Sequence, residues 1–140
     1  MVMPPSSAIS SVSLNHHFNQ DCLVIYLGIA RFEAPKNDDF KNYAQQLLGQ
    51  GHHWMVLDLS GVHYLDSFGL ATIISLLKDC RKAQGDLVLC GLNDMGLRLM
   101  TITRLDKVLT VWQNEEDAVK ALIALKKGET PTAVPVSFEH

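Results

Sequence analysis

The length and composition of the chain indicate one folded domain. The sequence has 140 residues, of which 47% are hydrophobic and 19% are charged, and a chain of this size buries enough apolar surface for a single core. This composition excludes a wholly disordered chain. The net charge is −3, with 12 Lys and Arg against 15 Asp and Glu, so a protein that binds nucleic acid directly by neutralising phosphates is not expected.

Apolar runs and cysteines indicate the cellular compartment of the protein. No apolar run approaches the roughly 20 residues that cross a bilayer, and the N-terminus has no secretory signal pattern. Three cysteines, Cys22, Cys80 and Cys90, are widely spaced and form no CxxC pair. This usage is typical of reduced thiols and speaks against a disulfide framework or a zinc site. We therefore expect a cytoplasmic protein without a membrane span and without a bound metal.

The apolar pattern divides the chain into a central domain and two tails. Residues 1–9 and 128–140 are rich in Pro, Ser and Thr and show no periodicity, so both are expected to be flexible. Val134, Val136 and Phe138 could nevertheless dock on the domain. The folded domain is expected to span residues 10–127.

The first half of the domain begins with two strand patterns. Residues 10–18 and 22–27 are separated by Asn19-Gln20-Asp21, and so short a connection predicts an antiparallel hairpin. After Pro35, apolar residues at helical spacing predict a helix that ends near Gly49 or Gly51. The apolar run over 54–59 predicts a strand buried on both faces, in the middle of the sheet.

The second half repeats the alternation of helix and strand. A helix is expected to begin close to Ser67 and to stop at Gly85 as its C′ residue. The strand pattern 87–90 follows it. Asn93 or Asp94 can cap the next helix, which should run to about residue 103.

The last predicted elements complete an α/β fold. Residues 108–112 are expected to form a short strand, and Asn114 precedes acidic residues that suit the first turn of a final helix. Strands and helices in this order favour mainly parallel pairing after the hairpin. In such sheets the loops at the carboxyl ends of the strands collect functional residues.

The most informative loop joins the central strand to the following helix. It ends at Asp66-Ser67, directly before the helix, so the Ser67 hydroxyl is expected at or next to the N-cap, where it could simply cap the helix. A phosphoryl group on Ser67 would also face free backbone N–H groups and the positive end of the helix dipole, which favour an anion. Asp58, at the end of the strand, could orient the loop or contact a partner.

Four short motifs in this order and spacing resemble a known family. They are Val56-Leu57-Asp58-Leu59-Ser60-Gly61-Val62, Leu65-Asp66-Ser67-Phe68-Gly69-Leu70, Gly85-Asp86-Leu87-Val88-Leu89 and Asp106-Lys107-Val108-Leu109. Across about residues 20–127 the chain resembles the STAS domain of the anti-sigma factor antagonists, also called anti-anti-sigma factors. The resemblance implies a STAS fold, a mixed β-sheet with an N-terminal hairpin and about four helices packed mainly on one face.

The resemblance also implies a function. In this family the serine directly after the Asp of the loop is phosphorylated, and that serine matches Ser67. The implied protein is a bacterial transcription regulator, not an enzyme, and needs no cofactor. While Ser67 is unphosphorylated it binds an anti-sigma factor that is also a serine kinase of the ATP-binding type. Phosphorylation releases it and a PP2C-type phosphatase restores it.

The expected partner-binding residues surround the phosphorylation site. Asp66 would position Ser67 and keep the loop negative, and Gly69 would permit close approach of the partner backbone. Phe68 adds an apolar contact and offers no second hydroxyl. The predicted set is Asp58, Asp66, Ser67, Phe68 and Gly69.

Other functions fit single features of the sequence. A STAS regulatory subunit of a membrane transport complex, of the ABC type or an anion transporter, would use the same domain without phosphorylation of Ser67. An esterase is disfavoured, because residues 65–69 lack the first glycine of G-x-S-x-G. The pairs His16-His17 and His52-His53 cannot chelate a metal as pairs, because neighbours on a strand point to opposite faces.

Overall fold

The computed structural model describes residues 13–136, and within them it contains seven strands and four α-helices. The strands are β1 (Ser13–Asn19), β2 (Cys22–Gly28), β3 (Arg31–Phe32), β4 (Trp54–Asp58), β5 (Tyr64–Leu65), β6 (Asp86–Cys90) and β7 (Val111–Trp112). The helices are α1 (Lys36–Gly49), α2 (Ser67–Lys82), α3 (Asp94–Ile102) and α4 (Glu115–Lys126), with a 3₁₀ helix at Leu105–Lys107. The alternation confirms the predicted α/β fold.

Five strands form one mixed sheet in the order β1-β2-β4-β6-β7. β1 and β2 are antiparallel, and every later pairing in this sheet is parallel, which confirms the hairpin and the parallel crossovers. Gln20 and Asp21 connect β1 to β2 with φ angles of 51° and 68°. Left-handed conformations at both central residues are those of a type I′ turn, whose twist suits a two-residue hairpin. β4 lies in the middle, as its apolar run predicted.

Both faces of the sheet are covered, which explains why its central strands are apolar at nearly every position. Alternate residues of β2 contribute to two separate cores, Leu23 and Ile25 to one and Val24 to the other. The first core contains the buried sides of α1, α2 and α3, and the second contains that of α4. Three helices on one face and one on the other agree with the predicted STAS architecture.

Short elements differ from the sequence predictions. The strand expected over 108–112 contains only Val111 and Trp112, because residues 105–107 form the 3₁₀ helix and Val108 is exposed before the strand begins. The paired strands β3 and β5 form a separate two-stranded sheet that the pattern did not predict. Two residues are too few for a period to be recognised in a sequence.

Gly85 is not the C′ residue of α2, contrary to the sequence prediction. Gln84 occupies that position with φ 67°, after Ala83 as C-cap. The Gln84 N–H bonds to the Arg81 carbonyl (3.0 Å), and the Gly85 N–H bonds to the Cys80 carbonyl (2.8 Å). These two bonds make a Schellman motif in which a non-glycine residue adopts the left-handed conformation.

Replacing Gln84 with Gly should stabilise the fold. A residue with a Cβ costs roughly 1 kcal/mol in the left-handed region, whereas Gly adopts it freely. Because Gly also loses more chain entropy on folding, we expect a net gain of about 0.5 kcal/mol in the free energy of unfolding, measured by urea denaturation. The exposed neighbour change Ala83→Gly, at a C-cap with φ −85°, is the control and should destabilise. Equal effects of the two changes would contradict this account.

The described chain ends against the sheet. The backbone N–H of Val136 donates to the Val111 carbonyl at 2.8 Å, and its side chain packs on the first core, so Val136 docks as proposed. Val134 is exposed, and Phe138 lies outside the described residues, as do residues 10–12 of the first predicted strand. The division into a domain of residues 10–127 and flexible tails stays a prediction.

The three cysteines are free and buried. Burial raises the pKa of Cys80 to about 12, with smaller contributions from Asp86 and Asp79. Burial likewise raises the pKa of Cys90 to about 12, with Asp58 and Glu115 adding to it. Both thiols are therefore protonated at neutral pH. Among residues 13–136, no helix is both long and apolar enough to cross a membrane.

A polar contact ties the edge strand β1 to the start of α4. His17 Nε2 donates to Glu115 Oε2 at 2.7 Å, and Asn19 Nδ2 donates to the same oxygen at 2.9 Å. Desolvation by burial would raise the pKa of Glu115, but these hydrogen bonds and the nearby imidazole outweigh it and lower the pKa. The ionised Glu115 therefore stabilises the folded chain.

Replacing Glu115 with Gln should cost about 1 kcal/mol at neutral pH. Because the folded-state pKa is lowered, this stabilisation is complete above the ordinary value of 4.5 and is lost as the pH falls through the folded-state value. Urea denaturation at several pH values should show the gap between wild type and variant closing as the pH falls below 4.5. Glu116→Gln, at an exposed neighbour in the same first turn, loses only the interaction with the helix dipole and should show a smaller gap. A gap that is constant with pH would contradict the prediction.

Candidate functional site

The candidate site is the loop that leaves β4 at the carboxyl edge of the parallel strands. Asp58, half-buried at the strand end, accepts the Ser60 N–H on Oδ1 at 3.0 Å. The Leu59 N–H bonds to the Cys90 carbonyl of β6 at 2.9 Å. Asp58 thus orients the start of the loop, one of the two roles considered for it. Its contact with a partner stays a prediction.

The middle of the loop is fastened to two neighbouring segments. The N–H groups of His63 and Tyr64 both donate to the Ala30 carbonyl, at 2.8 and 2.9 Å. On the other side, Asn93 Nδ2 donates to the His63 carbonyl at 3.1 Å, while Asn93 Oδ1 accepts the Gly96 N–H and so caps α3. One side chain therefore joins the loop to the first turn of α3.

Asp66, and not Ser67, caps α2. Asp66 Oδ1 accepts the Gly69 N–H at 2.8 Å, and Asp66 has extended backbone angles typical of an N-cap. Ser67 is the first residue of the helix and is exposed. The interpretation of Ser67 as the cap is therefore wrong, because Asp66 already makes the capping bond to the N–H of the third helical residue. No hydrogen bond among residues 13–136 occupies the Ser67 hydroxyl.

Phe68 and Gly69 lie on opposite sides of the first turn of α2. The Phe68 side chain is 65% exposed, so another protein can reach it. Gly69 is buried, and a Cβ there would lie 2.6 Å from the Phe32 carbonyl oxygen and 2.7 Å from Leu65 Cδ1. The close approach expected at Gly69 is thus made to this chain's own β3. Its contact with a partner stays a prediction.

Arg31 brings a positive charge to the site. Its guanidinium lies 4.2 Å from the centre of the Tyr64 ring, and its Nε donates to Glu33. The bond and charge of Glu33 raise the pKa of Arg31, and Tyr64 and Asp66 add to this effect. Arg31 is therefore held, fully charged, beside the loop that carries Asp66.

A groove opens beside Ser67, between α2 and the end of α3. We call it the α2–α3 groove, and its volume is about 410 Å³. Its lining is mainly apolar, with polar residues at the two ends. The principal lining residues are Ser67, Leu70, Ile74, Lys78, Thr103 and Leu105.

The predicted site residues thus fall into two groups. Asp66, Ser67 and Phe68 are neighbours on one exposed turn, and Ser67 and Phe68 can be touched by another protein. Gly69 packs under that turn against β3, whereas Asp58 orients the other end of the loop through the Ser60 N–H. From the sequence, Asn93 was predicted only as a helix cap and Arg31 had no predicted role. The contacts that bring both residues to the loop join segments about 30 residues apart along the chain.

Asp66→Ala should cost about 1 kcal/mol in the free energy of unfolding, because the Gly69 N–H loses its acceptor. The matched control is Asn114→Ala, which removes the same kind of cap from α4, where Asn114 Oδ1 accepts the Asp117 N–H at 2.9 Å. Urea denaturation should give similar losses for both variants. A loss below about 0.3 kcal/mol for Asp66→Ala alone would show that another residue caps α2 in its place.

The histidine pairs make separate contacts. His16 Nδ1 lies 2.6 Å from the Tyr43 hydroxyl of α1, whereas His17 bonds to Glu115 of α4. Adjacent residues of β1 thus contact helices on opposite faces of the sheet, as strand geometry requires. Within the described part of the chain, no group of three or more His, Cys, Asp or Glu side chains could hold a metal ion.

Comparisons with solved structures identify the fold. An anti-sigma factor antagonist from Mycobacterium paratuberculosis superimposes with a TM-score of 0.73 at 18% identity, over 81% of this chain and 95% of that one. The Bacillus protein SpoIIAA, an anti-sigma factor antagonist in its unphosphorylated form, gives a TM-score of 0.66 at 14% identity, over 83% and 97% of the two chains. These proteins share the architecture described above.

Sequence comparisons agree with the structural ones. An anti-sigma-B factor antagonist of Listeria monocytogenes is 40% identical over 55 residues, which are 39% of this chain and 48% of that protein. The family model described as STAS domain matches residues 15–118, from β1 into α4. With this match over most of the sequence, the chain belongs to the STAS domain family.

Proposed function

We propose that the chain is an anti-sigma factor antagonist, a cytoplasmic protein-binding switch controlled by phosphorylation of Ser67. The observation that carries the proposal is the exposed first turn of α2, where Asp66 caps the helix and the Ser67 hydroxyl makes no hydrogen bond to any residue within 13–136. The similarity to antagonists of anti-sigma factors supports it. In its unphosphorylated form the chain binds an anti-sigma factor that is also a serine kinase.

The position of Ser67 suits both states of the switch. A phosphoryl group there adds a charge of about −1.5 to −2 close to the positive end of the α2 dipole, which favours an anion. The fold therefore tolerates the modification. Phosphorylation needs no change in the cap, because the bond from Gly69 to Asp66 does not involve Ser67.

The same charge would disrupt a protein interface. The exposed Phe68 ring beside Ser67 is the kind of apolar anchor that a partner covers. A covered phosphoserine would be desolvated next to the Asp66 carboxylate, and an unpaired charge in such a place costs several kcal/mol. Release on phosphorylation follows from this cost.

In this proposal the chain is a substrate and ligand, and the chemistry belongs to its partners. The kinase brings ATP, and a PP2C-type phosphatase removes the phosphoryl group. The second candidate, a regulatory STAS subunit of a membrane transport complex, needs no modification of Ser67. No feature of the site favours it specifically.

Intact mass measurement separates the two candidates. Protein purified from its native cells should carry a phosphoryl increment that phosphatase removes, and peptide mapping should place it on Ser67. Its affinity partner should be a soluble ATP-binding kinase that phosphorylates wild type but not Ser67→Ala. Modification of Ser67→Ala at the wild-type rate, or recovery of only a membrane permease or ATPase, would overturn the proposal.

A further inference from the structure

The α2–α3 groove has the dimensions of a binding site for a helix. Ser67 and Lys78 lie at its two ends, and they are separated by three turns of α2, which is about 16 Å at 1.5 Å per residue. Between them Leu70, Ile74 and Leu105 provide an apolar floor. An apolar strip of this length matches the apolar face of three to four turns of an amphipathic helix.

The walls of the groove favour a helix over an extended segment. Both walls are helical, so their backbone groups are already paired. On the second wall, for example, the Arg104 N–H bonds to the Thr101 carbonyl at 3.1 Å, and the Val108 N–H bonds to the Leu105 carbonyl at 2.9 Å. An extended peptide would find no free sheet edge here and would leave its own backbone unpaired. A helix satisfies its backbone internally.

Positively charged side chains lie in the groove or flank residues that line it. Lys78 lines the groove on α2, and the exposed Arg104 and Lys107 follow Thr103 on the opposite wall. The ion pairs within residues 13–136 are His17–Glu115, Arg31–Glu33 and Arg81–Asp86, and none engages these three cations. The neighbouring acidic residues, Asp79 beside Lys78 and Asp106 beside Lys107, are both partly buried, and Asp79 Oδ2 accepts a hydrogen bond from Gln45. This local excess of positive charge contrasts with the net charge of −3.

We infer that the α2–α3 groove binds an amphipathic helix of the partner, with its apolar face on Leu70, Ile74 and Leu105 and acidic side chains beside Lys78. The inference rests on the proposed function and adds the chemistry of the segment that is recognised. It also places Ser67 at the rim of the same surface. A phosphoryl group on Ser67 would then stand at the edge of the bound helix and repel its acidic residues.

Two designed peptides test the chemistry of the groove directly. Both are helices of about 15 residues with the same Leu stripe, and they differ only in having Glu or Lys on the polar face. In NMR titrations of the full chain, the Glu peptide should shift the signals of Leu70, Ile74 and Leu105 and bind about tenfold more tightly than the Lys peptide. Lys78→Glu should weaken the Glu peptide about fivefold or more.

The matched control is Lys120→Glu, which makes the same charge change at an exposed residue of α4, on the opposite face of the sheet. It should leave the affinity for the Glu peptide unchanged. Equal affinity for both peptides, no measurable binding, or shifts that map away from the groove would overturn the inference. Thermal melts of both variants would confirm that each is folded.

The anti-sigma factor recovered by affinity purification provides the second arm. Its dissociation constant should rise about fivefold or more with Lys78→Glu and stay the same with Lys120→Glu. If the factor binds both variants like wild type, the groove is not its binding site, although the proposed function stands. If the Glu peptide binds as described but no anti-sigma factor does, the proposed function is wrong and the preference of the groove for an acidic helix remains.

Discussion

Replacing Ser67 with Asp will leave the fold intact and weaken binding of the proposed anti-sigma partner about a hundredfold. Ser67 is the first residue of α2, and the cap belongs to Asp66, so the substitution removes no capping bond. A carboxylate in the first turn gains roughly 0.3 to 1 kcal/mol from the helix dipole. The melting temperature should therefore stay level or rise slightly.

Binding should change in the opposite direction. A second carboxylate beside Asp66 faces like charge and must be desolvated under the partner, which costs several kcal/mol when the new charge stays unpaired. About 3 kcal/mol corresponds to roughly a hundredfold in the dissociation constant. Isothermal titration calorimetry with the partner measures this change.

Ser67→Ala is the matched control for the Asp variant. It introduces no charge, and Ala favours a helix, so both the melting temperature and the affinity should stay close to those of wild type. The two variants should therefore differ in binding and agree in stability. An Asp variant that binds the partner as tightly as wild type would show that position 67 lies outside the interface.

Gly85→Ala should destabilise the chain more than the other substitutions discussed. A Cβ at this position would lie 1.7 Å from the His53 carbonyl oxygen and 2.5 Å from its carbonyl carbon. These are backbone atoms just before β4, and the Asp86 N–H bonds to the same carbonyl at 3.0 Å. Relief of the overlap must move β4 away from β6, at a cost of about 3 kcal/mol or more.

Thermal denaturation measures this loss as a fall of about 10 °C in Tm. Gly49→Ala, at the last residue of α1, is the control, because a Cβ there meets nothing within 4 Å. It should leave Tm unchanged or raise it slightly, since Ala favours a helix more than Gly does. Equal Tm values for the two variants would contradict the close contact at Gly85.

The sequence was most informative where a pattern extends over several residues. The nearly continuous apolar run over 54–59 predicted a strand in the middle of the sheet, and the stripe from Leu70 to Cys80 predicted the buried side of α2. Both segments are long enough for periodicity to outweigh local preferences. β3 and β5, of two residues each, depend on contacts between segments distant in the chain and have no such pattern.

Local chemistry was less decisive where two adjacent residues could play one role. Asp66 and Ser67 are both good caps, and Asp66 takes the position because its carboxylate reaches the Gly69 N–H. Gly85 is intrinsically the better C′ residue, yet its backbone must pass close to His53, so Gln84 adopts the left-handed angles. Tertiary packing decided the second case.

The sequence could locate the candidate site along the chain, but it could not predict the surface that the site forms. The motif around Ser67 located the loop in the sequence, but the α2–α3 groove is formed by side chains about 30 residues apart along the chain. A charged residue such as Lys78 is indistinguishable in the sequence from any solvent-exposed lysine of a helix. Only the packing of α2 beside the end of α3 brings it next to Leu105.

The Asn93 side chain has a consequence for how the site would respond to a partner. Because it bonds both the loop carbonyl of His63 and the first turn of α3, the loop and that helix are already fixed relative to each other before any encounter. A surface built in advance loses little conformational entropy on association, so more of its contact energy is available as affinity. Exchange between free and bound forms would then require no rearrangement of the loop.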